Sequence, residues 1–309
     1  MGVHRDGPRP LAWRTKNVGR LLFASAERFV REKLSVLHGH GFALVTPGQM
    51  ALLQNLDLDG TRLTELAARA QITKQGMLEL VDRSTALGLV TRHPDACDRR
   101  AKNIVFTPAG HAMLERLCMA VEATERQMTS ETRPGFVAAL NDALALYVGA
   151  ASDAPDLQSL DPWRQRNAGR SLTAAAALFA RDTMLALPAG PLPFLGPVQL
   201  ALFRSLDLDG TRLTELARRA GMTKQAMLET VDKAALAGLV ERRPDPKDGR
   251  AKMVVFTQGG LLVLDHVRDG VAAAERGLTA RIGPAFMAEL KRHLAVYASP
   301  IEAAIQAAA

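Results

Sequence analysis

The sequence predicts a mainly α protein built from two copies of one domain, each copy carrying a small β hairpin. Three observations predict it. First, the run Leu56-Asp57-Leu58-Asp59-Gly60-Thr61-Arg62-Leu63-Thr64-Glu65-Leu66-Ala67 returns 150 residues later as Leu206-Asp207-Leu208-Asp209-Gly210-Thr211-Arg212-Leu213-Thr214-Glu215-Leu216-Ala217. The register holds from Trp13 and Trp163 to Tyr147 and Tyr297. That period is an ordinary domain length, far longer than a solenoid repeat. Second, 48% of the 309 residues are hydrophobic but only 5% are aromatic. The cores are therefore Leu, Ala, Val and Met, which favours helices. Third, each copy switches once from helical to extended patterning, over Leu89–Arg92 and Asn103–Thr107 in the first. The repeat divides the chain into domains at 1–150 and 163–309. Residues 151–162, rich in Ala, Ser, Asp and Pro, form the linker.

The elements follow in order. Residues 1–12 carry no periodic pattern and are expected to be unstructured. A long helical pattern runs from Trp13 to about His38, through Leu21, Leu22, Phe29 and Leu37. Gly39, Gly41, Pro47 and Gly48 interrupt it, and a short helix runs from Pro47 to Leu56. Thr61 is expected to cap a third helix, with Leu63, Leu66, Ala67 and Ala70 on one face. A tight turn at Gln71-Ile72 leads to Thr73, the cap of a fourth helix. That helix is buried through Met77, Leu80, Val81 and Ser84 and stops at Gly88. The two extended runs are joined by a charged loop, His93 to Lys102. Thr107-Pro108 reads as the cap and first residue of another long helix, and a last helix follows Pro134. The second copy repeats this order to about Ile305.

The formal charge is +7 with an isoelectric point near 9.8, and both halves carry an excess of Lys and Arg. A basic folded domain attracts polyanions, nucleic acid among them. Two cysteines, Cys97 and Cys118, exclude a disulfide framework and fit a reducing compartment. No signal peptide or spanning segment is recognisable, so the expected location is cytoplasmic. No nucleophile elbow, phosphate loop or paired carboxylates point to an enzyme, and no cofactor is expected. His38, His40 and His111 could converge on a metal. However, the second copy has Pro188, Gly190 and Leu261 there, and no metal site is expected. Cys118, among Leu114, Leu117 and Val121, reads as core.

Two helices joined by a tight turn, followed by a hairpin with a charged tip, make a winged helix-turn-helix. The second helix presents its N-terminal residues to base edges in the major groove, and the wing reaches along the duplex. The residues resemble the MarR (multiple antibiotic resistance regulator) family. The first copy has Thr73-Lys74-Gln75, Val81-Asp82, Gly88-Leu89-Val90, Arg92, Asp98, Arg100-Ala101-Lys102, Thr107 and Gly110. The second has Thr223-Lys224-Gln225, Val231-Asp232, Gly238-Leu239-Val240, Arg242, Asp248, Arg250-Ala251-Lys252, Thr257 and Gly260. The resemblance implies a sequence-specific DNA-binding transcriptional regulator, an effector-responsive repressor. The implied fold is two winged helix-turn-helix domains whose long helices form an intramolecular pseudo-dimer. Family members are usually one-domain chains that pair. Here about a dozen linker residues, spanning up to roughly 40 Å, would join the halves.

The expected DNA contacts are Thr73, Lys74, Gln75, Arg83, Asp98, Arg99, Arg100 and Lys102. In the second copy they are Thr223, Lys224, Gln225, Lys233, Asp248, Arg250 and Lys252. By resemblance, Asp98 and Asp248 orient the wing arginines toward the minor groove. Trp13, Arg20, Trp163 and Arg170 are candidate contacts for a small anionic or aromatic effector, although packing also accounts for the tryptophans. The partners are thus double-stranded DNA and an effector, with the chain a monomer of internal two-fold symmetry. Two alternatives stand beside this reading. One is an antirepressor or interaction protein that kept the fold without binding DNA. The other is a redox-responsive regulator acting through Cys97, whose neighbouring arginines could lower its pKa.

Overall fold

The computed structural model describes residues 17–94, 102–150, 156–187, 197–220, 222–245 and 248–307. The first copy runs α1 (Val18–Gly39), α2 (Pro47–Asn55), β1 (Thr61–Arg62), α3 (Leu63–Arg69), α4 (Lys74–Ala86), β2 (Val90–Pro94), β3 (Lys102–Phe106), α5 (Pro108–Glu131) and α6 (Phe136–Gly149). The second runs α7 (Pro162–Gln165), α8 (Ala168–Leu185), α9 (Pro197–Ser205), β4 (Thr211–Arg212), α10 (Leu213–Arg219), α11 (Lys224–Leu236), β5 (Val240–Asp245), β6 (Asp248–Phe256), α12 (Gln258–Ile282) and α13 (Pro284–Ala307). The mainly α fold with small antiparallel wings is as the sequence predicts. The expectation for residues 1–12 falls outside the described residues.

The helix starts are set by caps. Thr73 Oγ1 accepts from the Gly76 amide at 3.1 Å, and Thr107 Oγ1 from Gly110 at 3.0 Å. Thr46, not singled out from the sequence, closes a reciprocal capping box with Gln49 at the start of α2. Thr61 is a correction. It is not a cap: α3 starts behind Arg62, which makes no side-chain cap. The Thr61 hydroxyl instead donates to Asp57 Oδ2 at 2.9 Å and accepts from the Asp57 amide at 2.8 Å. That closes the Asp57–Thr61 turn and leaves Thr61 to pair with Ile104 as the edge of a third strand. Thr211 does the same with Asp207 in the second copy. Each sheet therefore has the order β1-β3-β2 or β4-β6-β5, one strand more than the hairpin expected.

The chain forms two compact units, and their boundary does not follow the repeat. The first unit holds Phe23–Ala175 with Arg292–Tyr297. The second holds Ala176–Lys291 with the described parts of Met1–Leu22 and Ala298–Ala309. In the first, Leu37, Leu53, Leu56, Leu66, Met77, Val81, Ile104 and Leu117 make one core, with Trp163 packed against it. In the second, Leu202, Phe203, Leu216, Met227, Val231 and Val254 do the same. Leu80 is only half-buried, and Cys118 lies outside the core. The Cys118 thiol is partly exposed, 3.8 Å from Glu122, because its position falls one residue past the α5 face that Leu117 and Ala120 bury.

Segments of the other repeat complete the first unit. Tyr297 packs its ring 4.2 Å from the Arg28 guanidinium and donates to Glu32 at 2.7 Å, while Arg28 makes a two-pronged contact with Glu131. Residues 156–161, expected to be a bare tether, are also fixed here. Leu160 is buried, and Ser159 donates to Asp57 at 2.7 Å and accepts from Arg69 at 3.1 Å. A leucine and a short hydroxyl able to satisfy a buried carboxylate are what dock this stretch.

Candidate nucleic-acid interface

In each copy the helix-turn-helix is α3-α4 or α10-α11. The first turn between them passes through Gln71, the only non-glycine with positive φ among the described residues, at 54°. Gly221, its counterpart, lies outside them. The turn exposes the N-terminus of the second helix. Thr73, Lys74 and Gln75 are all exposed there, as are Thr223, Lys224 and Gln225. Buried Met77, Val81 and Ser84 on the opposite face hold α4 to the core, so the triplet faces away from it. Arg83 and Lys233 lie exposed near the C-terminal ends of the same helices. The helix N-terminus adds its unpaired amides and positive dipole end, which suit a phosphate backbone.

The wings are tied to these helices by ion pairs. Arg92 of β2 pairs with Asp82 of α4, and Arg242 of β5 with Asp232 of α11 at 2.7 Å. A wing held by a carboxylate of the reading helix keeps a set angle to it. Lys102 and Lys252 are exposed, opposite Pro94 and Pro244 in the ladder. Cys97, Asp98, Arg99 and Arg100 fall outside the described residues. Arg250 lies on β6, and Asp248 lies 3.7 Å from Arg212. Sequence reasoning missed Asp245. It is buried in the second wing and accepts from Arg212 at 2.7 and 2.6 Å, which ties that wing to the start of α10.

The described candidate effector residues are divided between the two units. Trp13 lies outside the described residues. Arg20 sits on α1 in the second unit, and Trp163 and Arg170 sit on α7 and α8 in the first. Arg170 donates to the Gln54 carbonyl at 3.3 Å and to Asn55 Oδ1 at 3.0 Å. Its neighbour Arg164 is fully buried, bonded to the Leu56 carbonyl and to Asp161. Lys33, only 4% exposed, joins this cationic set. Burial, with the Arg170 charge adding to it, pushes Lys33 down to about 8. Burial, with the charges of Arg164 and Arg69 adding to it, pushes Arg170 down to about 10.

A lysine depressed in the fold penalises folding while it is charged. The penalty is full below about 8 and gone above its ordinary 10.5. Stability relative to a Lys33→Met variant should therefore rise as pH climbs between those values. At pH 7, Lys33→Met should be the more stable by about 3 kcal/mol. Urea unfolding of both proteins at pH 7 and pH 10.5 checks this.

The histidines do not converge. His38 contacts the Val45 carbonyl, His40 the Val36 carbonyl, and His111 packs on Phe106. Among the described residues, no group of three His, Cys, Asp or Glu side chains could hold a metal, and no helix is long and apolar enough to cross a membrane.

A model of the MarR family matches the chain twice, over residues 45–101 and 195–251. Each match spans one helix-turn-helix and its first wing strand. The chain belongs to the MarR family. At that level it is a DNA-binding transcriptional regulator with two MarR-like domains in tandem. Among solved structures, it is 30% identical to the transcriptional regulator Tm0710 from Thermotoga maritima, over 39% of this chain and 84% of that one, with a TM-score of 0.29. It is 26% identical to the transcriptional repressor CouR bound to a 23-mer DNA duplex, over 42% and 91%, with a TM-score of 0.36. To PcaV from Streptomyces coelicolor, in complex with its natural ligand, it is 20% identical over 50% and 98%, with a TM-score of 0.33. No curated protein matches the chain.

Proposed function

We propose that the chain is an effector-responsive repressor whose two heads read one imperfect palindrome as a single-chain pseudo-dimer. The observation that carries this is the exposed, Thr-capped Thr-Lys-Gln triplet at the start of the second helix in both copies. Loss of DNA reading in one copy would have freed its triplet to drift. The domains are 1–150 and 163–309, joined through 151–162. The contacts are Thr73, Lys74, Gln75 and Arg83 with Asp98, Arg99, Arg100 and Lys102 of the first wing. Thr223, Lys224, Gln225 and Lys233 act with Asp248, Arg250 and Lys252 of the second. The relatives CouR and PcaV, bound to DNA and to a ligand, agree with these two partner classes.

The two heads need not read alike, since Cys97 and Arg99 face Lys247 and Gly249 in the repeat alignment. Lys74→Ala should relax base preference in one arm of a selected operator and Lys224→Ala in the other. Each should cost on the order of 1 kcal/mol or more if the contact is to a base. Operator selection with each variant beside the parent tests this. A symmetric site, with both variants damaging both arms equally, overturns the unequal reading. Variants that bind as the parent does overturn the DNA contact itself.

A further inference from the structure

The exposed face of α4 carries one side chain that neither a cap nor an ion pair accounts for. Leu78 is 36% exposed, whereas Leu80, two residues on, packs against the core of the first unit. Leu78 lies one helical turn past Lys74 and Gln75 and one turn before Asp82, so it shares their face. Met77, Val81 and Ser84 bury the opposite side of the helix. The second copy repeats the leucine. Leu228 is half-buried on α11, one turn past Lys224 and one turn before Asp232. Around it the copies differ: Gly76, Leu80 and Ser84 stand where the second has Ala226, Thr230 and Ala234.

The charges beside the leucine limit what this surface can meet. Glu79 is exposed next to it and accepts from Gln75 at 3.4 Å, as exposed Glu229 does from Gln225 at 3.2 Å. Asp82 holds Arg92 of the first wing, and Asp232 holds Arg242 of the second. Carboxylates on both sides of an apolar group repel phosphate, so this stretch suits the floor of the groove and not its backbone. The apolar group that a base pair presents in the major groove is the thymine C5-methyl. We infer that Leu78 and Leu228 each read a thymine methyl, one in each half-site, and so set a base preference beyond that of the Thr-Lys-Gln triplets.

This rests on the DNA reading proposed above and adds one base to each arm of it. An operator is selected from random duplexes with the full chain. Its thymines are then replaced one at a time by deoxyuridine, which removes the methyl and keeps the pairing. In each arm one replacement should weaken the parent about fourfold, the scale of a single buried methyl group. Leu78→Ala should bind the thymine and uridine duplexes equally in one arm, and Leu228→Ala in the other. Alanine is the strongest helix former, so both variants keep the helix. An operator indifferent to deoxyuridine at every thymine, or parental sensitivity in both arms with either variant, would overturn the leucine contact and leave the repressor reading standing. A parent that selects no operator would overturn both.

Discussion

Replacing Arg69 by Ala should destabilise the protein by about 3–5 kcal/mol, the scale of a broken buried ion pair. Arg69 is nearly buried, and its guanidinium donates to both Asp57 oxygens at 3.0 and 2.9 Å and to the Asn55 carbonyl at 3.1 Å. It also pairs with Glu65. Burial pulls the Asp57 carboxyl up, but hydrogen bonds from Arg69, Ser159 and Thr61 hold it below the ordinary value. Without Arg69, a buried carboxylate keeps only two neutral partners. The second copy is the internal control. Arg219 pairs with Asp207 at 2.7 Å, but that carboxylate is 45% exposed. Arg219→Ala should cost about 1 kcal/mol, as exposed pairs do. Urea unfolding of the two variants checks the contrast, and equal losses would contradict it.

Gly110→Ala should cost about 3 kcal/mol or more, at or beyond the upper end of overpacking. A Cβ on Gly110 would stand 1.9 Å from the Leu89 carbonyl oxygen. That oxygen belongs to backbone, and it already accepts from the Thr107 amide, so neither side can yield. The start of α5 is thereby pressed against the chain leaving α4, which fixes the reading helix relative to the long helix. A Cβ on Gly260 would likewise stand 1.9 Å from the Leu239 carbonyl oxygen. By contrast, an alanine at Gly39 would meet nothing within 4 Å, so Gly39→Ala should leave the thermal midpoint nearly unchanged. Thermal unfolding of the two variants tests this, and an intact midpoint in Gly110→Ala would contradict it.

The sequence exposed the reading heads because their chemistry repeats. Thr73 and Thr223, and Thr107 and Thr257, each occur twice at fixed spacing, and each caps its helix through an amide three residues away. What escaped either competes with a more familiar local reading or depends on distant partners. Thr61 precedes a helix and reads as its cap, but its hydroxyl turns back to Asp57. The recurrence of Asp57, Thr61 and Arg69 as Asp207, Thr211 and Arg219 was the available signal for that network. Lys33 gave no signal, since Thr183 replaces it and a lysine on a long helix reads as solvated. Ser159 and Leu160 looked like linker because composition cannot reveal a docking surface 100 residues earlier in the chain. Of the effector candidates, Arg170 came with the family resemblance, whereas its neighbour Lys33 became visible only through burial.

The most direct test of the account is the mass of the protein–DNA complex on a selected operator, read by light scattering at defined salt. If both heads of one polypeptide read one palindrome, a single chain of 33.3 kDa should occupy a duplex carrying two half-sites about one helical turn apart. Two chains per duplex, or tight binding to a duplex with one half-site only, would contradict it.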